Sequence, residues 1–184
     1  QAAAGAKRLL EAMGIKTLAE LQAAPWQQFI DTARANRGAG ATGPTIDGVN
    51  LPASVFDPVA SPISKGIPLI MSTTETESAS WGAPVDPIDD RALNTLVKGA
   101  TNLSDADVGS YIDIYKANHP GKDNAYIGQL ILTQWGFTDR VTTQAERKAA
   151  QAADGGAPIY YFYFAHHTDV RGDRLHAPHT SEIP

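Results

Sequence analysis

Cysteine is absent from this 184-residue sequence, which excludes disulfides, zinc–thiolate sites and a cysteine nucleophile. Positive charge is scarce: 15 Lys and Arg residues against 20 Asp and Glu give a formal net charge of −5. We therefore expect no nucleic-acid partner. No apolar run is long enough for a transmembrane helix, so no membrane span is expected. These absences leave the compartment open, since secreted, periplasmic and cytoplasmic proteins can all share them.

The hydrophobic fraction of 42% is ordinary for a globular protein, and the length allows a real core. A Gly-rich loop is expected at 34–42. Apolar spacing and capping residues predict helices at 4–13, from Leu18, from Pro25, at 89–97, from Ser104, at 124–135 and at 138–154.

Two apolar runs predict buried strands, at 67–74 and 158–164. Strands separated by helices favour the α/β class with a parallel sheet. Two strands alone are too few for a stable sheet of that class. We therefore expect this chain to contribute part of a larger, mostly parallel sheet, with a helical insertion between the two strands.

Each predicted strand leads to one ionisable residue. Glu77 follows the first strand, and His179 follows the second after a polar loop. An acid followed by a histidine is the order found in the second half of an α/β-hydrolase catalytic triad. No two glycines lie four positions apart, so the G-x-S-x-G nucleophile motif is absent. We expect the nucleophile upstream of Gln1, in a longer hydrolase.

Five sequence blocks occur in a definite order: Gly43–Pro52, Pro68–Ser78, Phe137–Arg140, Ala157–Phe164 and Ala177–Pro184. Together they resemble the corresponding blocks of type-B carboxylesterases, the cholinesterase-like branch of the α/β-hydrolases. The sequence departs from the family pattern at Ser78 and Thr180, where the family has glycine.

This resemblance implies an α/β-hydrolase fold in which residues 1–184 form the C-terminal segment of a single carboxylesterase catalytic domain, not a complete domain alone. It implies a Ser–Glu–His triad to which this chain supplies Glu77 and His179. The partners would be a small ester substrate and the remainder of the same polypeptide, with no cofactor. The alternative is a catalytically inactive cholinesterase-like adhesion or binding module.

The resemblance also suggests roles for neighbouring residues. Glu75 is a rival for the acid position, but alignment from Pro68 favours Glu77. Trp81 would contact the substrate, unless it packs in the core. Glu182 would support the triad, unless it satisfies free amides at a helix N-terminus.

The loop after the second strand contains groups that bind divalent ions, namely His166, His167, Asp169, Asp173, His176 and His179. Neutral imidazole and carboxylate suit zinc and similar ions. Their spacing follows no established ligand pattern. We therefore interpret His166 and His167 as solvated residues at a strand end, and predict no metal site.

Overall fold

The computed structural model describes residues 2–36 and 44–183. The chain divides into two compact units, Gln1–Ser54 and Val55–Pro184. Most of the Gly-rich loop expected at 34–42 lies outside the described residues, as does Gly43 of the first family-like block.

The described elements are, in chain order, α1 (Ala2–Met13), α2 (Leu18–Ala23), α3 (Trp26–Ala35), β1 (Leu69–Thr74), α4 (Asp90–Thr101), α5 (Asp105–Asn118), α6 (Asn124–Thr133), α7 (Asp139–Ala153) and β2 (Ile159–Phe164). A π-helical segment, Gln134–Thr138, joins α6 to α7. The expected helices and both expected strands therefore form, with shifted ends. No helix in the described ranges is long and apolar enough to cross a membrane.

Local capping orders the first unit, where α1 packs against α3. The expected capping box starts α2: the Thr17 hydroxyl accepts from the Glu20 amide at 3.2 Å, and the Glu20 carboxylate accepts from the Thr17 amide at 3.1 Å. Further along, Asp47 fixes a turn by accepting from the amides of Leu51 and Val49, both at 2.9 Å. These amides lower the pKa of the Asp47 carboxyl to about 2.

The core of the second unit lies between helices α4, α5 and α6. Its buried apolar residues are Leu93, Val97, Val108, Ile112, Ile127 and Ile131. Gly128 allows α6 to approach α4 closely, because a Cβ at this position would lie 2.9 Å from Leu96 Cδ2. The main hydrophobic contact in this unit is therefore between helices.

The two strands pair in parallel, from Leu69 opposite Ile159 to Thr74 opposite Phe164. Both strands consequently end at the same edge of the sheet. Helix α7 contacts both strands and completes the parallel crossover from β1 to β2.

The expected fold class is wrong. Helices account for 52% of the described residues and strands for 8%, and β1 and β2 form a two-stranded sheet. The chain is therefore not the C-terminal part of a mostly parallel α/β-hydrolase sheet. The physical reason is that the apolar residues between the strands recur at helical spacing and bury one another, so the helices form a core of their own.

The aromatic run in β2 also differs from expectation. The sequence predicts strand core here, but Tyr160 is 61% exposed and Tyr163 is 50% exposed. Ile70 of β1 is 69% exposed. The described residues thus leave an apolar surface along the paired strands uncovered, as expected for strands without further neighbours.

Replacing Leu93, which is fully buried in the helical core, by alanine should lower the free energy of unfolding by about 2–5 kcal/mol, through lost burial and a residual cavity. Urea denaturation followed by circular dichroism measures this. Ile114 on α5 is 57% exposed, so Ile114→Ala is the matched control and should change stability by roughly 0.5 kcal/mol or less. Equal effects of the two substitutions would contradict this assignment of the core.

Candidate functional site

The loops that leave the two strands are joined by hydrogen bonds around Thr76. Its amide donates to the Ala177 carbonyl at 3.0 Å, and its hydroxyl donates to the Leu175 carbonyl at 2.7 Å. Thr76 is fully buried. This junction brings the segment containing Glu77 beside the segment containing His179.

Glu77 and His179 are in direct contact. One carboxylate oxygen of Glu77 lies 2.5 Å from His179 Nδ1, and the other accepts from the Thr74 amide at 2.8 Å. Glu77 is only 6% exposed. A carboxylate can only accept hydrogen bonds, so the neutral tautomer that fits this contact has its proton on Nδ1 and its lone pair on Nε2. The expected contact is confirmed, and Glu77 rather than Glu75 makes it.

A buried polar network fixes both loops to α6. Ser78 donates its amide to the Thr133 hydroxyl at 3.2 Å and its hydroxyl to the Gln129 carbonyl at 2.7 Å. The Gln129 side-chain amide donates to the carbonyls of Pro84 at 2.9 Å and Arg174 at 3.1 Å. One helix therefore positions the acid-bearing loop and the loop that leads to His179.

The far side of the His179 ring is accessible. Its side chain is 41% exposed, and over residues 2–36 and 44–183 no hydrogen bond to Nε2 is formed. The residue lines an open cleft of about 730 Å³. Ser181 lines the same cleft, but its hydroxyl makes no hydrogen bond within the described residues. The imidazole is therefore held at Nδ1 and free to act at Nε2.

Two aromatic side chains flank the imidazole. The Trp81 ring lies 5.3 Å from the His179 ring between centroids, and Trp81 is 64% exposed. Trp81 is therefore not a core residue. Phe137 lies 6.4 Å from the same ring, a neighbour that the sequence did not single out. Phe137 belongs to the π-helical segment, and such local widening of a helix often occurs at functional sites.

Glu182 does not contact the pair through a hydrogen bond. It is half-buried, and its Oε2 atom is buried without a hydrogen-bond partner among the described residues. The hydroxyl of the adjacent Ser181 is in the same state. A supporting role for Glu182 therefore remains a prediction.

A second acid–histidine cluster lies next to the first. Glu75 contacts His167 Nε2 at 2.6 Å. On the other side of that ring, Nδ1 lies 3.2 Å from Asp173 Oδ1, and this same oxygen lies 3.7 Å from His176 Nδ1. His167 is half-buried and paired, so its interpretation as a solvated residue is wrong. His166 is exposed as expected.

Burial dominates the electrostatics around this second cluster. It lowers the pKa of His176, whose ring packs 4.2 Å from that of Tyr126. Burial, together with the nearby Glu75 carboxylate, raises the pKa of Tyr126 and brings that of Tyr163 to about 12. At neutral pH the side chains of Tyr126 and Tyr163 near Glu75 are therefore uncharged, and so is the His176 imidazole.

Comparison with known proteins identifies no family for this chain. The chain matches no protein-family model, and no curated protein matches it. The resemblance to type-B carboxylesterases therefore depends on the ordered sequence blocks alone, and function has to be argued from the geometry of the site.

Proposed function

We propose that Glu77 and His179 are the acid and the general base of a serine hydrolase that cleaves carboxylic esters, with the nucleophilic serine outside these 184 residues. The observation that supports this most is the 2.5 Å hydrogen bond from His179 Nδ1 to a buried carboxylate, with Nε2 accessible from a cleft. The ordered blocks that resemble type-B carboxylesterases add independent support.

In this mechanism His179 Nε2 accepts the proton of the serine hydroxyl as the oxygen attacks the ester carbonyl. The resulting imidazolium donates that proton to the leaving alcohol. Glu77 holds the ring in the correct tautomer and stabilises its positive charge. The Thr74 amide fixes the other oxygen of Glu77, so the acid cannot rotate away without losing a buried hydrogen bond.

The site supports an external nucleophile for two reasons. The sequence has no G-x-S-x-G motif, and no serine hydroxyl in the described part of the chain hydrogen-bonds His179. The uncovered apolar surface along β1 and β2 offers a place where further polypeptide would pack. A nucleophile supplied in this way does not require a large hydrolase sheet.

The rival proposal is a binding or adhesion module without catalytic activity. The absence, among the described residues, of a serine hydroxyl hydrogen-bonded to His179 favours it. The hydrogen-bonded pair favours the enzyme, because a buried carboxylate orients the imidazole while the side chain of His179 stays accessible in the cleft. Detection of a reactive serine separates the two.

In the complete protein, His179→Ala should reduce kcat for an activated aryl ester by on the order of 10⁶-fold, because the general base is lost. Glu77→Gln should reduce it by on the order of 10⁴-fold, because orientation is lost while the imidazole remains. The exposed Glu146 of α7 provides the carboxylate control, Glu146→Gln, which should retain activity. Full activity of the Glu77 variant would exclude it as the triad acid.

A fluorophosphonate reagent should label one serine of the complete protein, and peptide mass spectrometry should place it outside residues 1–184. His179→Ala should abolish labelling, since the serine would lose its base. The isolated 184-residue chain should neither react nor hydrolyse esters. A labelled serine within the chain would refute the external nucleophile, and a complete protein without a reactive serine would favour the binding module.

Trp81→Ala should shift ester preference towards bulkier acyl or alcohol groups, because the side chain beside His179 would no longer restrict the space. Ratios of kcat/KM across esters of increasing size measure the shift. Trp26 is 73% exposed in the first unit, and Trp26→Ala is the matched control. An unchanged size preference combined with a lower melting temperature would instead indicate a structural role for Trp81.

A further inference from the structure

We propose that His167, Asp173 and His176 form a binding site for a divalent zinc-class ion. One potential ligand atom from each residue lies within 4.8 Å of the other two. Two imidazoles and one carboxylate are a ligand set typical of zinc and its neighbours in the first transition row. The inference does not depend on ester hydrolysis, because none of these residues belongs to the proposed triad.

The distances suit a tetrahedral ion. Metal–ligand bonds of about 2.0–2.1 Å at tetrahedral angles place neighbouring ligand atoms roughly 3.3–3.4 Å apart. Asp173 Oδ1 lies 3.2 Å from His167 Nδ1 and 3.7 Å from His176 Nδ1. The ligand atoms of His167 and His176 lie within 4.8 Å of each other, so an ion bound to all three residues would require the two imidazoles to move closer together.

Glu75 provides the outer contact that such a site needs. Ligating histidines usually donate their second ring N–H to a carboxylate, which orients the ring and raises its basicity. His167 Nε2 lies 2.6 Å from the Glu75 carboxylate. If Nε2 carries the proton, the lone pair of Nδ1 faces Asp173, as metal binding requires.

Two of the three proposed ligand atoms are unsatisfied, while the third, His167 Nδ1, lies within hydrogen-bond distance of Asp173 Oδ2 at 3.3 Å. Asp173 Oδ1 and His176 Nδ1 are both buried, and neither makes a hydrogen bond within the described residues. Buried polar atoms without partners destabilise the folded state, because they lose hydrogen bonds to water that nothing replaces. A proton on His167 Nδ1 would offset the charge on Asp173 but would leave His176 Nδ1 unsatisfied, whereas one cation would satisfy all three ligands.

The ion would have a structural role. His167 lies three residues after the end of β2, while Asp173 and His176 lie in the loop that continues to His179. Binding would join the end of β2 to the loop, and would join both to the end of β1 through Glu75. The expected consequence is a more rigid segment before His179.

Titration of the tag-free, metal-stripped protein with Zn²⁺ against a chromophoric chelator tests the proposal. We expect one ion per chain, with Mg²⁺ failing to compete. Both His167→Gln and His176→Gln should weaken affinity at least about 100-fold, and Glu75→Gln should weaken it about 10–100-fold, as typical for an outer-shell partner. The control is His166→Gln, which changes an exposed neighbour and should leave affinity unchanged.

Co²⁺ gives a second measurement on the unmodified protein, which remains informative if a variant fails to fold. The bound ion should show the intense visible absorption of low-coordinate cobalt, and Zn²⁺ should abolish it. Absence of a stoichiometric Zn²⁺ ion in the unmodified protein would overturn the proposal. The proposal would also be overturned if the folded His167→Gln and His176→Gln variants bound Zn²⁺ with the same affinity as the unmodified protein.

Discussion

Parallel pairing of β1 with β2 is the constraint on which the rest of the site depends. Because Thr74 lies opposite Phe164, both strands deliver their exit loops to one edge of the sheet. Thr76 then extends the junction with hydrogen bonds to the second loop. The contact between Glu77 and His179, which are 102 positions apart, follows from this register. An antiparallel arrangement would place the two exits at opposite ends.

The helices supply the rigidity that a two-stranded sheet lacks. An isolated pair of strands is marginally stable, so its geometry has to be held from outside. The apolar faces of α4, α5 and α6 form a buried core, and α6 presents Gln129 and Thr133 on its buried surface towards the loops. Polar side chains on a well-packed helix can orient loops accurately, because their own positions are fixed by the surrounding core.

Local sequence features predicted local structure well, and long-range packing less well. Caps such as Ser104 and the capping box at Thr17 form as expected, because capping depends on residues three positions apart. The contact between Glu77 and His179 could be anticipated from the resemblance. The fold class could not be predicted, because the sequence of an apolar run such as 158–164 does not show whether another strand or a helix covers it. The position of Phe137 beside His179 and the contacts among Glu75, His167, Asp173 and His176 were not predicted, since a π-helical segment and a folded loop have no sequence period.

The loop before His179 has a backbone that needs external support. Arg171, Asp173 and His176 all have positive φ, between 54° and 65°, and each such non-glycine residue costs on the order of 1 kcal/mol or more. Contacts outside the loop must offset several such penalties. Glu75 and Glu77 provide them at the two ends of the segment, through His167 and His179. Glu75 and Glu77, which both follow β1, thus stabilise the same strained loop. The position of the His179 imidazole therefore depends on the cluster around Glu75 as well as on Glu77.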